Sequence, residues 1–195
     1  MLPGKEVMAG DTYGSFAELK NYERQNKDYQ ISICDVKSRI TIIAPHGGKI
    51  EPGTSDIAKK IATGSFNYYC FEGIKKENNA VLHITSHNFD EPKAVNLISR
   101  SHIVVAIHAC KGNEKFVILG GLDKGLKKFI ADELESRQIP VSRSHGNFKG
   151  QHPDNICNRG ATKKGVQLEI TRRLRDDLTK RQVISEAVRA ALLKT

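Results

Sequence analysis

A histidine and a glutamate stand on either side of two glycines in the segment PHGGKIEPG, residues 45–53, which follows an apolar run. Adjacent glycines permit a tight turn and a positive φ, so the side chains of His46 and Glu51 can return to one point despite the intervening residues. An imidazole nitrogen and a carboxylate oxygen are both ordinary zinc ligands, at about 2.0–2.2 Å. The segment by itself allows two interpretations. Either His46 and Glu51 are both metal ligands, or His46 caps a strand and Glu51 is a solvated acid.

A second histidine ends another apolar run, VVAIHAC at residues 104–110, so His108 offers a third ligand. Two histidines and one acid with an open fourth position are typical of a catalytic zinc site, whereas structural sites are usually closed by four ligands rich in cysteine. Cys110 is an alternative ligand, but on an extended chain it points to the same side as His108 and would crowd the site, so we assign it to the core. The cysteines never form a CxxC pair, which argues against a zinc ribbon or redox pair and favours buried reduced thiols.

An acid interrupts the apolar run GVQLEIT at residues 165–171. A buried and unpaired carboxylate is costly, so Glu169 must be neutralised, paired or placed at a site. Beside a metal it would take a proton from a water molecule and later deliver it to the leaving amine. An ion pair with Arg172, Arg173 or Arg175 is the alternative.

Basic side chains near these segments offer contacts for an acidic substrate. Arg159 is the foremost candidate, because its planar guanidinium matches the two oxygens of a carboxylate. Lys49 lies between the two loop ligands, and Arg172 directly follows the third run. His83, within AVLHITS at residues 80–86, either fills the core or reaches the site from a neighbouring strand.

The remaining histidines carry weaker signals. His87 faces either a cleft or the surface, and we assign no role to His102, His145 or His152. The polar stretch 142–160 is predicted to be a long loop, and loops of that length are uncommon without a role in binding.

Positioning these residues requires strands that end at one edge of a sheet. Apolar runs rich in β-branched residues predict strands at residues 29–36, 39–45, 66–71, 80–86, 102–110, 115–121 and 165–171. Helical patterns lie between and after them, at residues 54–64, 91–100, 122–137 and 181–193. The first of these helices has Thr54 as its predicted N-cap.

Runs such as ITIIA and IVVAI are apolar at nearly every position, as in parallel sheets covered by helices on both faces. This predicts an α/β fold with a mostly parallel central sheet of about seven strands. Ligands of such sheets bind beyond the carboxyl ends of the strands, where His46, His108 and Glu169 are expected. The 195 residues contain neither a repeat nor a linker, which predicts a single domain over residues 1–195.

The composition restricts the class of protein. Lys+Arg 31 against Asp+Glu 22 gives a net charge of +9, which favours an anionic partner. No apolar run approaches the roughly 20 residues that cross a bilayer, so a membrane span is excluded. The opening MLPGKEVMAG is too polar for a secretory signal peptide, which predicts cytoplasmic synthesis and leaves release by lysis open.

The chain resembles the phage and bacterial poly-γ-glutamate hydrolases in PHGGKIEPGTSDIA (45–58), HITSHNFDEPKA (83–94), VVAIHAC (104–110) and NRGATKKGVQLEITRRLR (158–175). These zinc peptidases are distantly similar to the carboxypeptidase A superfamily, whose first two ligands are spaced HxxE, whereas the longer spacing here matches the narrower family. The resemblance implies that His46, Glu51 and His108 bind Zn²⁺ and that Glu169 is the catalytic acid and base. It also implies a mixed, mostly parallel sheet flanked by helices on both faces, and hydrolysis of γ-glutamyl amide bonds.

In the implied mechanism a water molecule activated by zinc is the nucleophile, while Arg159, with Lys49 or Arg172, holds flanking carboxylates. Poly-γ-glutamate carries one carboxylate per residue, which agrees with the positive charge of the chain. One alternative is a zinc amidohydrolase of the same fold that acts on another acylated amino acid or a cell-wall peptide. Another is a basic nucleic-acid-binding accessory protein, which the 6% aromatic content and the absence of tryptophan disfavour.

Overall fold

Seven strands form one sheet in the computed structural model, which describes residues 10–142, 146 and 148–195. In chain order they are β1 (Tyr29–Cys34), β2 (Ile40–Gly48), β3 (Asn67–Gly73), β4 (Ile103–Cys110), β5 (Val117–Gly120), β6 (Val141–Ser142) and β7 (Val166–Thr171). Their order across the sheet is β1-β3-β2-β4-β7-β5-β6. The pairings of β1 with β3 and of β5 with β7 are antiparallel, and the other four are parallel. The predicted mixed, mostly parallel sheet is therefore confirmed.

Helices cover both faces of the sheet, as predicted. They are α1 (Phe16–Leu19), α2 (Thr54–Ala62), α3 (Pro92–Ser99), α4 (Lys124–Ser136), α5 (Arg172–Asp176) and α6 (Leu178–Leu192), with 3₁₀ turns at Asn79–Leu82 and Ile156–Arg159. Helices α2, α4 and α6 pack together on one face, and α1 and α3 lie on the other with both 3₁₀ turns. The longest of these helices has 15 residues, and none in the described chain is long and apolar enough to cross a bilayer.

Strand β2 shows why the central strands are apolar at nearly every position. Ile42 and Ala44 lie in the core beneath α2, α4 and α6, while Ile43 lies in the core on the opposite face, and all three are fully buried. Burial on both faces removes apolar surface from water at about 25 cal/mol per Å², so a central strand gains from apolar residues at successive positions.

Strand β7 is buried too, but its two faces differ. Val166, Leu168 and Ile170 pack in the core beneath α2, α4 and α6, while Gln167 and Glu169 point to the opposite face. Loop residues from 83–87 and 148–155 surround these two polar side chains, around a cavity. The polar face of β7 therefore opens into a cavity rather than a core.

One predicted strand is absent, and one observed strand was not predicted. Residues 80–86 form no strand, because the chain makes a 3₁₀ turn over Asn79–Leu82 and continues irregularly. Its apolar side chains, Leu82 and Ile84, are nevertheless fully buried, which explains the strand-like composition. The seventh strand is β6, whose two residues are too few for any hydrophobic pattern to reveal.

The predicted N-cap of α2 is also wrong. Thr54 is the first residue of the helix, and Gly53, at φ 95°, precedes it as the N-cap. A Cβ atom on Gly53 would lie 3.0 Å from Arg181 Nε, so the position favours glycine for space as well as for its positive φ. The Thr54 hydroxyl instead donates to the Glu51 carbonyl oxygen at 2.8 Å and ties the helix to the preceding loop.

Candidate metal centre

Three neighbouring parallel strands, β2, β4 and β7, carry polar side chains near their carboxyl ends. His46 lies on β2 and His108 on β4, and Glu169 is opposite His108 in the register of β4 and β7. Because the carboxyl ends of parallel strands meet at one edge of a sheet, these side chains lie close together. Ligand atoms of His46, Glu51 and His108 all lie within 4.8 Å of one another, and no other cluster of this kind occurs in the described residues.

The loop after His46 folds Glu51 back toward the histidines. The Glu51 N–H donates to the His46 carbonyl oxygen at 2.9 Å, which closes the turn. Gly48 has φ 63°, and a Cβ atom there would lie 2.5 Å from the Gly73 carbonyl oxygen, so this position requires glycine. The Ala109 N–H donates to Glu51 Oε2 at 2.9 Å and holds the carboxylate beside β4. The glycine-containing loop thus returns Glu51 to His46, as the sequence predicts.

Hydrogen bonds orient both imidazole rings. His46 Nε2 is 2.7 Å from the Ile84 carbonyl oxygen, which only accepts, so Nε2 carries the proton and Nδ1 has none in the neutral ring. His108 Nε2 lies 3.3 Å from Ser86 Oγ. The Nδ1 atoms of the two rings therefore face each other, 3.2 Å apart. Two nitrogen lone pairs at that distance repel unless a proton or a cation lies between them, which is the arrangement of metal ligands.

The distances within the cluster suit a tetrahedral ion. Ligand atoms about 2.0–2.1 Å from a tetrahedral zinc lie about 3.3 Å from each other. The distance between the two Nδ1 atoms is 3.2 Å, and that from His46 Nδ1 to Glu51 Oε1 is 3.4 Å. The distance from His108 Nδ1 to Glu51 is 3.9 Å and is to the other carboxylate oxygen, Oε2, so the Glu51 side chain would have to shift for one oxygen to lie about 3.3 Å from both rings. The three residues therefore suit a tetrahedral zinc ion, which three protein ligands would leave with one open position.

Burial and mutual charge set the protonation of the cluster. Burial lowers the pKa of His46, but the adjacent Glu51 carboxylate acts against it and the pKa is raised overall. Burial raises the pKa of Glu51, but the His46 and His108 rings lower it overall. Burial and the charge of His46 lower the pKa of His108 to about 3. The His108 ring is therefore neutral near pH 7, the form that binds a metal.

Glu169 lies beside this cluster and is 6% exposed. Gln167 Nε2 donates to its Oε1 at 3.2 Å, and no ion pair with Glu169 is formed within the described ranges. Arg175, a candidate partner from the sequence, donates instead to backbone carbonyl oxygens. Burial and the nearby Glu51 carboxylate raise the pKa of Glu169 well above its usual value. A buried acid with a raised pKa is suited to carry a proton near neutral pH.

His83 reaches the cluster from irregular chain rather than from a strand. Its ring centroid lies 3.9 Å from that of His46. Its Nδ1 is 2.7 Å from Asp11 Oδ1, and Asp11 Oδ2 accepts from the Thr85 N–H at 2.7 Å. The charge of His46, and then burial, lower the pKa of His83. Asp11 therefore holds a largely neutral ring at the wall of the cavity above the cluster.

A cavity of about 480 Å³, here called the metal cavity, is lined by the three clustered side chains together with Glu169 and His83. The polar stretch 142–160 supplies residues 148–152 and Asn155 to its wall. His87 and His152 also line it, with ring centroids 4.9 Å apart. His152, to which the sequence assigned no role, therefore lies at the site. His145 falls outside the described residues.

The basic residues singled out from the sequence lie in different places. Lys49 and Arg172 line a second cavity that adjoins the metal cavity. Arg159 lines neither, because it ends the 3₁₀ turn Ile156–Arg159 and its guanidinium donates to the Phe89 carbonyl oxygen. The structure therefore does not bring Arg159 to the cluster, and its position does not support the expected contact with a substrate carboxylate.

Sequence reasoning missed three polar residues that support the site: Asp11, Ser86 and Gln167. Of these, Gln167 left a signal, since it alternates with Glu169 on a strand whose intervening positions are apolar. Ser86 contacts His108 from a segment predicted to be a strand. Asp11 left no local signal, because it is 72 residues from His83 in the chain.

The chain has relatives among known proteins. The model of the family described as poly-gamma-glutamate hydrolase matches residues 13–192. The UPF0714 protein YmaC of Bacillus subtilis (strain 168) is 40% identical over 169 residues, which cover 85% of this chain and 71% of YmaC.

Two solved structures are similar over nearly the whole chain. A bacteriophage poly-gamma-glutamate hydrolase has a TM-score of 0.90 at 32% identity, with 94% of this chain and 97% of that chain covered. The zinc-free apo form of YndL has a TM-score of 0.83 at 29% identity, with 94% and 96% covered. Sequence and structure therefore agree on the same group of relatives.

Proposed function

Because the chain belongs to the poly-γ-glutamate hydrolase family, we propose that it cleaves the γ-glutamyl amide bonds of poly-γ-glutamate with a zinc ion bound in the metal cavity. The family and the similar solved structure identify it as a hydrolase. The observation that carries the proposal is the convergence of His46, Glu51 and His108 beside Glu169. Two histidines and one acid are the protein ligands expected in a hydrolytic zinc enzyme.

In this proposal His46, Glu51 and His108 hold the ion. Zinc bound there supplies a Lewis acid for the amide carbonyl and lowers the pKa of water toward about 7. The Ile84 carbonyl oxygen and Ser86 Oγ hold the Nε2 atoms of the two rings, which leaves both Nδ1 atoms for ligation. The zinc-free description of YndL, a relative of similar structure, also supports zinc as the metal.

Glu169 takes the proton from the attacking water molecule and delivers it to the amine that leaves. Its raised pKa suits both steps, because the carboxylate is a stronger base than an exposed one and the protonated form exists closer to neutral pH. Gln167 Nε2 holds Glu169 Oε1, which leaves Oε2 to exchange the proton. The neutral His83 ring, fixed by Asp11, forms the adjoining wall against which the substrate lies.

A polyanionic substrate agrees with the charge of the chain. A net charge of +9 raises the local concentration of an anionic polymer near the protein. Added salt screens that attraction over distances of about 10 Å at 0.1 M, so turnover of the polymer falls as the ionic strength rises.

Size-exclusion chromatography of poly-γ-glutamate incubated with the zinc-loaded protein tests the substrate. The polymer is expected to shift to small fragments, whereas α-linked polyglutamate and muropeptides stay intact. The zinc-loaded Glu169→Gln variant is the control and leaves the polymer at full size. Cleavage of muropeptides or of α-linked polyglutamate in place of the γ-linked polymer would instead favour a zinc amidohydrolase with another acyl substrate.

A further inference from the structure

A cation follows the polar side chain near the end of each of the three strands at the site. Lys49, Lys111 and Arg172 lie three residues beyond the site residues of β2, β4 and β7 respectively. These strands are parallel neighbours, and His108 on β4 pairs with Glu169 on β7. Each cation therefore lies just beyond the carboxyl end of its strand, at the edge of the sheet that carries the site residues.

All three cations line one cavity of about 760 Å³, here called the basic cavity. Arg175 lines it as well, but this side chain is buried and donates to backbone carbonyl oxygens. Glu51 and His83 line both the basic cavity and the metal cavity. The two cavities therefore meet at the metal cluster, and a long substrate can extend from one into the other.

The three cations are available to a ligand. Lys111 is exposed and has no ion pair within the described chain. Arg172 pairs with Asp176 one helical turn away, and both side chains are mostly exposed, so a carboxylate of a ligand can replace that contact. Lys49 Nζ donates to the Lys75 carbonyl oxygen at 3.0 Å and has no ion pair with any residue that the structure describes.

The metal cavity has a different charge. Among the described residues of its lining, Lys149 is the sole lysine or arginine. The basic cavity, in contrast, is lined by Lys49, Lys111 and Arg172. Arg175 lines it too, although its guanidinium already donates to backbone carbonyl oxygens. An anionic chain that spans both cavities is therefore held by its carboxylates mainly in the basic cavity, while its reacting amide lies at the metal cluster.

We propose that the basic cavity binds successive carboxylates of the polyanionic substrate on one side of the cleaved bond, with Lys49, Lys111 and Arg172 as the anion contacts. This inference rests on the proposed function and adds to it the side of the cluster on which the charged chain lies. A polymer with a carboxylate on every residue matches three cations in one cavity better than does a ligand with a single carboxylate, because several weak contacts act together.

Binding of fluorescently labelled poly-γ-glutamate to the metal-free protein, followed by fluorescence polarisation, tests the inference without relying on activity. Lys111→Gln and Arg172→Gln are each expected to raise Kd about two- to fivefold, the scale of exposed ion pairs. The double variant is expected to raise Kd about tenfold, since separated sites add. Lys115→Gln and Arg173→Gln are matched controls that leave Kd unchanged, because both residues are exposed, close in sequence and outside the cavity lining.

The salt dependence of binding provides a second readout. The slope of log Kd against log salt is expected to decrease in the double variant and to stay at the wild-type value in the controls. An unchanged Kd in the double variant, or an equal rise in the controls, overturns the inference. If the wild type cleaves the polymer but the cavity variants bind it as tightly as the controls do, the proposed role of the basic cavity is refuted and the proposed function is not. A wild type that does not cleave poly-γ-glutamate would refute the proposed function.

Discussion

Glu72 and Glu169 show two different environments of a buried acid within one sheet. Both are 6% exposed, and they lie on β3 and β7 respectively. Glu72 accepts from Ser32 Oγ at 2.7 Å and from Lys59 Nζ at 3.1 Å, and these contacts lower its pKa although burial raises it. Glu169 accepts from the Gln167 amide, lacks an ion pair in the described residues, and has its pKa raised well above the usual value by burial.

The two side chains are equally little exposed, but Glu169 lies deeper among protein atoms and has weaker partners, so both depth and partners separate the two acids. A hydroxyl group and an ammonium group keep Glu72 ionised and tie β1, β3 and α2 together. Glu169 lies near another acid, Glu51, and a charge there opposes folding of the metal-free protein. Strongly raised pKa values of this kind concentrate at functional sites. A structural role therefore fits Glu72, and the environment of Glu169 agrees with its proposed role in proton transfer.

Loss of a proposed metal ligand is expected to have the largest effect on zinc content and hydrolysis. This effect concerns the site that contains Glu169 and leaves the contacts of Glu72 unchanged. His108→Ala removes one of the three proposed ligands, so the zinc content is expected to fall from about one ion per chain to near zero and hydrolysis to background. Mass spectrometry of the metal content measures this loss. Glu72→Gln is the control and retains zinc, and a full zinc content in His108→Ala would contradict the ligand assignment.

Removal of the acid at the site is expected to have the next largest effect on turnover. Glu169→Gln keeps the shape of the side chain but cannot exchange a proton, so kcat falls about 10²–10⁴-fold. Zinc content stays at the wild-type level because Glu169 is outside the ligand cluster. Steady-state hydrolysis with parallel metal analysis tests this. Normal turnover in Glu169→Gln, or an equal loss in Glu72→Gln, would remove the distinction between the two acids.

The two glutamate substitutions are expected to differ in their effect on the free energy of unfolding. Glu72→Gln removes the charged acceptor of Lys59 and Ser32, so the free energy of unfolding falls by about 1–3 kcal/mol. Glu169→Gln removes a charge without a compensating cation, so the metal-free variant is as stable as the wild type or more stable. Urea unfolding of the metal-free proteins measures both values, and equal destabilisation by the two substitutions would contradict the comparison.

The pH dependence of unfolding gives the smallest and most specific difference. The folded pKa of Glu72 is depressed, so its contribution is present above its unfolded pKa of about 4.3 and is lost as the pH falls through the folded pKa. The folded pKa of Glu169 is raised, so its contribution is present at low pH and is lost as the pH rises above about 4.3. Urea unfolding of the metal-free variants between about pH 3 and pH 7 measures both slopes, because the Glu72 slope lies mainly below about pH 4.3 and the Glu169 slope above it.

Relative to the wild type over that range, Glu72→Gln is expected to weaken the gain in stability with rising pH, and Glu169→Gln is expected to strengthen it. The Asp132→Asn variant, on the exposed face of α4, is a control for the loss of one carboxylate. Parallel slopes for the two glutamate variants would show that their environments do not differ as described.

Local sequence patterns were sufficient to predict most strands of the sheet. They failed where the chain is buried without forming regular secondary structure. The apolar runs at 39–45, 102–110 and 165–171 correspond to β2, β4 and β7. The run at 80–86 has the same composition but forms irregular chain, because burial selects apolar residues whatever the backbone conformation.

The amino-acid sequence by itself determined which side chains stand at the ends of the central strands, and therefore that His46 and His108 meet near Glu169, while the glycines after His46 allowed the loop to return Glu51. The physical reason is that parallel strands covered on both faces share one carboxyl edge, so residues far apart in the chain converge there. Only the tertiary structure decided that Asp11 holds His83, that the histidine Nδ1 atoms face each other, and that Arg159 lies away from the cluster. These features depend on strand order and on contacts between distant segments, which packing of the whole chain selects and no local pattern records.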